Sequence, residues 1–119
     1  MKSLENKSTA ITAQAEDGKL VTLDYAGLIK LVCNTPAQGG FSLQDIRTRI
    51  AITSASEETK TGKDILLETA DATYLQNLVK NMRWQFSHKD ILAFSDSVEK
   101  MKESTPVSKK VNNNVPVED

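Results

Sequence analysis

Apolar residues recur at helical spacing in two stretches of the chain, each divided by a short connector. The first stretch runs from Asp24 to about Ser54 and the second from Asp71 to Met101. Spacings of three and four residues place the apolar side chains of each part on one helical face. The predicted buried faces are Tyr25, Leu28, Ile29, Val32 and Cys33; Leu43, Ile46 and Ile50 with Ile52 or Ala51; Leu75, Leu78, Val79 and Met82; and Ile91, Phe94, Val98 and Met101. The pattern predicts four helices that share one core.

Both connectors end in a similar hexapeptide, FSLQDI at residues 41–46 and FSHKDI at residues 86–91. Ser87 is placed to accept a hydrogen bond from the backbone N–H of Asp90, whose side chain can reach back to the N–H of Ser87. The same arrangement is expected at Ser42, so each hexapeptide predicts the start of a helix. The predicted N-caps of the other two helices are Asp24 and either Thr69 or Asp71.

The two stretches also resemble each other. Residues 24–34 and 71–81 are identical at five of eleven positions, which indicates either an internal duplication or a coincidence of common helix patterns. KLVTL at residues 19–23 and DILLE at residues 64–68 precede the two segments and read as short strands that could pair into a ribbon. The predicted fold is therefore mostly α, with α+β as the alternative. It has four short helices in two helix-turn-helix hairpins, arranged as a duplicated βαα unit with a two-stranded ribbon.

The two ends of the chain lack this periodicity. Met1–Asp17 is rich in Ser, Thr, Lys, Glu and Ala, and Ser104–Asp119 contains two prolines and three consecutive Asn residues. Such segments bury too little apolar surface to order themselves. The prediction is a mobile tail at residues 1–17, a single small helical domain at residues 18–103, and a disordered tail at residues 104–119.

The charge balance argues against nucleic acid as a partner. Residues 19–103 contain eleven Lys and Arg and eleven Asp and Glu. Neutralising phosphates requires a basic excess, which this segment lacks. No apolar run approaches the roughly 20 residues that span a bilayer, so no membrane association is expected. A single cysteine cannot form an internal disulfide, which favours a reducing compartment, the cytoplasm.

The side chains that usually carry chemistry are few. His88 is the only histidine and Cys33 the only cysteine, whereas a metal site takes three or four ligands. His88 is expected on the solvated surface and Cys33 in the core. Asp64, Glu68 and Asp71 form an acidic cluster that capping and solubility explain. The sequence therefore predicts no catalytic residue, no metal, no cofactor and no small-molecule ligand, and it predicts that the protein is not an enzyme.

Four residues are candidates for contact with a partner. Trp84 is expected to anchor the core between the last helices, or else to anchor a partner, because tryptophan is enriched in interface hot spots. Tyr74 is a second aromatic candidate. Arg47 and Arg49 are expected on the solvated face of the second helix, where they could touch the acids of a partner or a phosphate. The predicted partner is another protein or a second copy of this chain.

Two resemblances bear on function. Residues 39–50, GGFSLQDIRTRI, are similar to the helix-opening segment of MerR-like regulators, although the winged helix-turn-helix that reads DNA in that family is missing. Together with residues 64–84 and 90–101, the same segment resembles small uncharacterised proteins of tailed bacteriophages and prophages. This resemblance implies a non-enzymatic accessory, assembly or virion protein that acts through protein contacts. The alternative is a small transcriptional or nucleic-acid-binding regulator that uses the Phe41–Ile50 helix.

Overall fold

The computed structural model describes residues 1–35, 39–84 and 86–103. Its elements, in chain order, are β1 (Lys2–Glu5), β2 (Ser8–Gln14), β3 (Leu20–Asp24), α1 (Tyr25–Asn34), α2 (Leu43–Glu57), β4 (Asp64–Leu67), α3 (Thr69–Asn81), α4 (Lys89–Glu99) and β5 (Lys102–Glu103). The described chain is thus an α+β fold with two antiparallel sheets. The prediction of a mostly α fold built from two helical hairpins is wrong.

The first sheet pairs strands that lie far apart in the sequence, whereas the second is a local hairpin. β1 is the central strand of the first sheet, between β4 and β5, and β2 forms a hairpin with β3 in the second. The two segments predicted as strands are confirmed to within one residue at each end as β3 and β4, but these strands do not pair with each other. The predicted ribbon is wrong because each of these strands has its partner within the first 14 residues of the chain.

The first 17 residues are therefore part of the fold. Their prediction as a mobile tail is wrong, because they form β1 and β2 and bury Leu4 and Ile11 in the core. Alternate residues of β2, Thr9 and Ile11, point inward, as a half-buried strand requires. The predicted C-terminal tail, residues 104–119, lies outside the described residues.

The core lies between the helices and the inner faces of the two sheets. The predicted apolar faces of α1 and α4 are confirmed as buried, whereas Leu78 and Met82 of the third face are only half-buried. Phe94 is fully buried, with its ring edge-on to Tyr25 at a centroid distance of 5.1 Å. Edge-to-face aromatic pairs of this kind add to the stabilisation that burial provides.

Two of the predicted N-caps are present. The carboxylate of Asp24 accepts the Gly27 N–H at 2.9 Å at the start of α1. At the start of α2, the hydroxyl of Ser42 accepts the Asp45 N–H at 3.0 Å, and Asp45 accepts the Ser42 N–H at 3.3 Å. This reciprocal pair is the predicted capping box.

The caps of the other two helices differ from the predictions. The N-cap of α3 is Glu68, so Thr69 and Asp71 lie inside its first turn. The N-cap of α4 is His88 rather than Ser87, and its Nδ1 accepts the Asp90 N–H at 3.0 Å. The predicted capping box at Ser87 needs the Asp90 carboxylate to accept the Ser87 N–H. That carboxylate instead accepts the backbone N–H of Ala10 at 2.8 Å. That N–H lies at an irregularity of the β2–β3 pairing, between Ser8 and Thr12.

This difference between the two caps predicts unequal effects of two serine substitutions. Ser42→Ala should lower the free energy of unfolding by about 1 kcal/mol, because the N–H of Asp45 loses its acceptor. Ser87→Ala should change it by less than about 0.5 kcal/mol, because Ser87 is exposed and precedes the cap. Urea unfolding of both variants measures the difference. A larger effect at Ser87 would contradict the assignment of His88 as the cap.

A buried asparagine joins three parts of the chain. Asn6 is 0% exposed, and its Nδ2 donates to Asp24 Oδ2 at 3.1 Å and to the Thr59 carbonyl at 2.9 Å. Its Oδ1 accepts the Ala26 N–H at 3.0 Å. Its backbone N–H donates to the Lys63 carbonyl at 2.9 Å. Asn6 thus connects the β1–β2 turn to the first turn of α1 and to the segment between α2 and β4.

Candidate protein-interaction surface

Helix α2 is rotated relative to the orientation that its apolar pattern predicts. Leu43, Ile46 and Ile50, expected in the core, are 73%, 38% and 58% exposed. The buried residues of the helix are instead Arg49, Ile52 and Ser56. The prediction that the three aliphatic residues form its inner face is therefore wrong.

The inward position of Arg49 accounts for this rotation. Its Nε–H donates to the Tyr74 hydroxyl at 3.0 Å and its Nη1–H donates to the Cys33 carbonyl at 3.0 Å. The guanidinium lies 4.3 Å from the centroid of the Phe41 ring, within the range of a cation–π contact. Arg49 is only 9% exposed, and a buried cation is tolerated only when its donors are paired in this way.

The same network includes the cap of α2. The Tyr74 hydroxyl donates to Asp45 Oδ1 at 3.1 Å. Hydrogen bonds from the Ser42 hydroxyl, the Ser42 backbone and Tyr74 hold the pKa of Asp45 below its usual value, with a smaller contribution from the positive charge of Arg49. Asp45 is therefore an anion at neutral pH. The network ties α2 to both α1 and α3 and fixes which face of α2 points outward.

The outward face is an apolar stripe with charged residues beside it. We call the α2 outer face the set formed by Leu43, Ile46, Arg47, Ile50, Glu57 and Glu58. Single exposed apolar residues are common on protein surfaces. Here three of them follow one another at spacings of three and four residues on one helix, which is the spacing that packs against another helix. The arrangement is suited to binding an apolar face of a protein.

The structure does not bring the four predicted partner-binding residues together. Arg49 and Tyr74 are in direct contact, but their polar groups are engaged inside the network. Arg47 is exposed on α2. Trp84 is half-buried elsewhere, with its ring edge-on to Phe94 at a centroid distance of 6.4 Å. Leu43 and Ile50, the most exposed of the three aliphatic residues, were not among the candidates because their spacing predicted burial.

Trp84 borders a second candidate surface, a groove of about 470 Å³ between α3 and α4. Leu92, which is 70% exposed, lies on its α4 side. The side chain of Gln76 is hydrogen-bonded across the groove, with its Nε2 donating to the Val98 carbonyl at 3.1 Å. Only one strongly exposed aliphatic residue lines this groove, so the α2 outer face is the more extensive apolar surface.

The residues with reactive side chains are engaged in structural roles. Cys33 is buried, and burial raises the pKa of its thiol to about 11, so it is protonated at neutral pH. His88 accepts a hydrogen bond at the start of α4 and lies with Nδ1 3.8 Å from Asp90 Oδ2. In residues 1–35, 39–84 and 86–103, no three His, Cys, Asp or Glu side chains are grouped closely enough to hold a metal ion. Within the same ranges, no helix is both long enough and apolar enough to cross a membrane.

Comparisons of the chain with known protein families, with curated proteins and with solved structures each find no match.

Proposed function

We propose that this chain is a non-enzymatic accessory, assembly or virion protein of a tailed bacteriophage or prophage, and that it acts by binding another protein through the α2 outer face. The observation that carries this proposal is the outward position of Leu43, Ile46 and Ile50. The hydrogen bonds of Arg49 fix the orientation of α2 and keep these three side chains exposed to solvent. The exposed stripe is therefore a fixed feature of the fold. An apolar stripe held in this way is typical of a surface that a partner covers.

The structure favours a protein partner over the alternative, a regulator that reads DNA with the Phe41–Ile50 helix. A DNA-recognition helix presents polar and basic side chains to the bases and the phosphates. Here Arg49 is directed inward and its donors are occupied. Leu43, Ile46 and Ile50 form an outward aliphatic stripe beside the single exposed basic residue Arg47, which matches an apolar protein surface better than a DNA groove.

The phage or prophage assignment is supported by the resemblance of residues 39–50, 64–84 and 90–101 to small proteins of that origin. On this proposal the chain acts in the cytoplasm of the host cell or on the assembled virion. A protein that acts through contacts needs no catalytic residue, cofactor or small-molecule ligand. The expected role is to present a rigid helical surface to another component.

The proposal predicts that the protein binds a product of a neighbouring gene and that α2 mediates this binding. We expect Leu43→Lys to weaken it at least about tenfold, the equivalent of 1.4 kcal/mol, because a charge replaces a buried apolar contact. Leu92→Lys is the matched control, since Leu92 is similarly exposed but lies on α4. Biolayer interferometry of the purified chain against each co-encoded protein measures the affinities.

A duplex DNA titration at about 50 and 200 mM salt separates this proposal from the alternative. We expect no salt-sensitive binding. The proposal is overturned if the protein binds DNA tightly, loses that binding on Arg47→Ala, and binds none of the co-encoded proteins. It is also overturned if Leu43→Lys and Leu92→Lys weaken partner binding equally.

A further inference from the structure

The N–H of Asp90, at the start of α4, has acceptors on two consecutive residues. In the structure it donates to Nδ1 of His88 at 3.0 Å, and the backbone of His88 is extended, with φ −156° and ψ 139°. Ser87 holds the sequence position whose hydroxyl accepts this same N–H in a capping box. The imidazole and the hydroxyl therefore compete for one donor.

Helix α2 shows which cap forms when no imidazole competes. Its hexapeptide, FSLQDI, has Leu43 at the position that His88 holds in FSHKDI. A leucine side chain cannot accept a hydrogen bond, and there the Ser42 hydroxyl accepts the Asp45 N–H at 3.0 Å. In α4 the imidazole of His88 takes the place of the serine hydroxyl.

The imidazole can hold this position only while it is neutral. Nδ1 accepts the Asp90 N–H through its lone pair, and in the protonated ring both nitrogens are donors. Protonation therefore removes the acceptor at the start of α4. Histidine is the side chain that ordinarily changes its charge between about pH 5 and 8.

The charged group that lies against His88 is the carboxylate of Asp90, with its Oδ2 3.8 Å from Nδ1. Strand β2, whose backbone contacts that carboxylate, has no ionisable side chain among Ser8–Gln14. The basic residues of the neighbouring helix ends and the connector are exposed to solvent: Lys80, Arg83 and Lys89. Solvent screens exposed charges, so the carboxylate is the main electrostatic partner of the ring, and it attracts a protonated Nδ1.

We propose that His88 is a pH-sensitive switch of the α4 cap. While the ring is neutral, His88 caps the helix. When the ring is protonated, Nδ1–H turns to the Asp90 carboxylate as a donor, and the Asp90 N–H passes to the hydroxyl of Ser87. The helix then begins one residue earlier, with His88 in its first turn.

The acid form also changes the groove between α3 and α4. With Ser87 as the cap, Phe86 and Ile91 hold the two positions of a hydrophobic staple, and with His88 as the cap they do not. In the structure Phe86 is 42% exposed, with its ring edge-on to Trp84 at a centroid distance of 6.3 Å. Ile91 and Trp84 both line the groove. Packing of Phe86 on Ile91 therefore alters one end of the groove at acid pH.

The backbone of residue 88 reports the switch directly. The three-bond coupling between its amide and Hα protons depends on φ, and it is large for an extended backbone and small for a helical one. We expect this coupling to fall between about pH 8 and about pH 5, with the same midpoint as the His88 ring protons in one NMR titration. His88→Asn is the matched control, because asparagine caps helices well and does not titrate. In that variant the coupling should stay large throughout.

The effect of Ser87→Ala should depend on pH for the same reason. At about pH 5 it should lower the folding equilibrium constant about fivefold, as the loss of an N-cap does, and at about pH 8 by less than about twofold. Ser42→Ala should lower it equally at both pH values, because Leu43 cannot take over the cap of α2. Urea unfolding at the two pH values measures both variants.

Each outcome supports or overturns the switch. A coupling at residue 88 that stays large at acid pH overturns it, and so does an effect of Ser87→Ala that is the same at both pH values. A fall in the coupling that persists in His88→Asn would assign the change to another titrating group and would also overturn the proposal.

Discussion

Asn6→Ala should lower the free energy of unfolding by about 2–5 kcal/mol, since it leaves buried polar groups without partners. The substitution removes the acceptor of the Ala26 N–H at the start of α1 and one donor each to Asp24 and the Thr59 carbonyl. A typical domain is stable by only about 5–15 kcal/mol, so this substitution should remove a large share of the free energy of unfolding. Urea unfolding followed by circular dichroism gives the change.

The matched control for this prediction is Asn77→Ala, on the exposed surface of α3. It should change the free energy of unfolding by less than about 0.5 kcal/mol. A second variant, Asn6→Asp, keeps the acceptor of the Ala26 N–H but sets a carboxylate oxygen against Asp24 where Nδ2 now donates. It should also be strongly destabilised. Equal behaviour of Asn6→Ala and Asn77→Ala would show that the bonds of Asn6 contribute little.

Arg49→Ala should lower the free energy of unfolding by about 2–4 kcal/mol, because hydrogen bonds from a charged donor are among the stronger ones. The sequence alone, in contrast, suggests a solvated surface arginine. The substitution leaves the Cys33 carbonyl without its donor and the Tyr74 hydroxyl without the Nε–H bond. It also uncovers the ring of Phe41. The change is measured by the same urea unfolding.

Arg47 provides the control, because it lies two residues away on the same helix and is exposed. Arg47→Ala should change the free energy of unfolding by less than about 0.5 kcal/mol. Arg49→Lys should recover only part of the loss, since a single ammonium group lacks the planar fork that reaches both Tyr74 and Cys33. If Arg47→Ala were the more damaging of the two, the rotation assigned to α2 would be wrong.

The parts of the fold that the sequence predicts well are those governed by local rules. The apolar faces of α1 and α4 coincide with the buried residues because no polar contact competes with their burial. The cap at Ser42 forms because Asp45 accepts the Ser42 N–H with one carboxylate oxygen while the other accepts the Tyr74 hydroxyl. At Ser87 the same pattern fails, since Asp90 is engaged by the backbone of Ala10, eighty residues earlier in the chain. A local pattern cannot reveal such a competitor.

The orientation of α2 could not be predicted for a related reason. The helical spacing of Leu43, Ile46 and Ile50 predicts that they form the inner face of α2. The pattern that identifies core residues therefore assigns the residues of the candidate surface to the core. The opposite orientation is stabilised by Tyr74, a residue of another helix. The only local indication is that Arg49, Ile52 and Ser56 share one helical face, and this pattern alone is not distinctive.

The strands of the first 14 residues were missed because their stabilisation is also non-local. β1 has four residues, too few for a pattern, and its partners are β4 and β5. In β2, Thr9 and Ile11 alternate with exposed residues. The surrounding composition of Ser, Thr and Ala is typical of a flexible end and outweighs this short alternation in a prediction from sequence.

The central place of β1 in its sheet also determines the order in which the protein can be assembled during synthesis. β1 leaves the ribosome before both strands that flank it, which lie at residues 64–67 and 102–103. Closing such long loops is entropically costly and makes folding slow. Until the second flanking strand emerges, one edge of β1 is open to pairing with the wrong chain. The nascent protein should therefore remain prone to aggregation until the last few residues of the described chain are made.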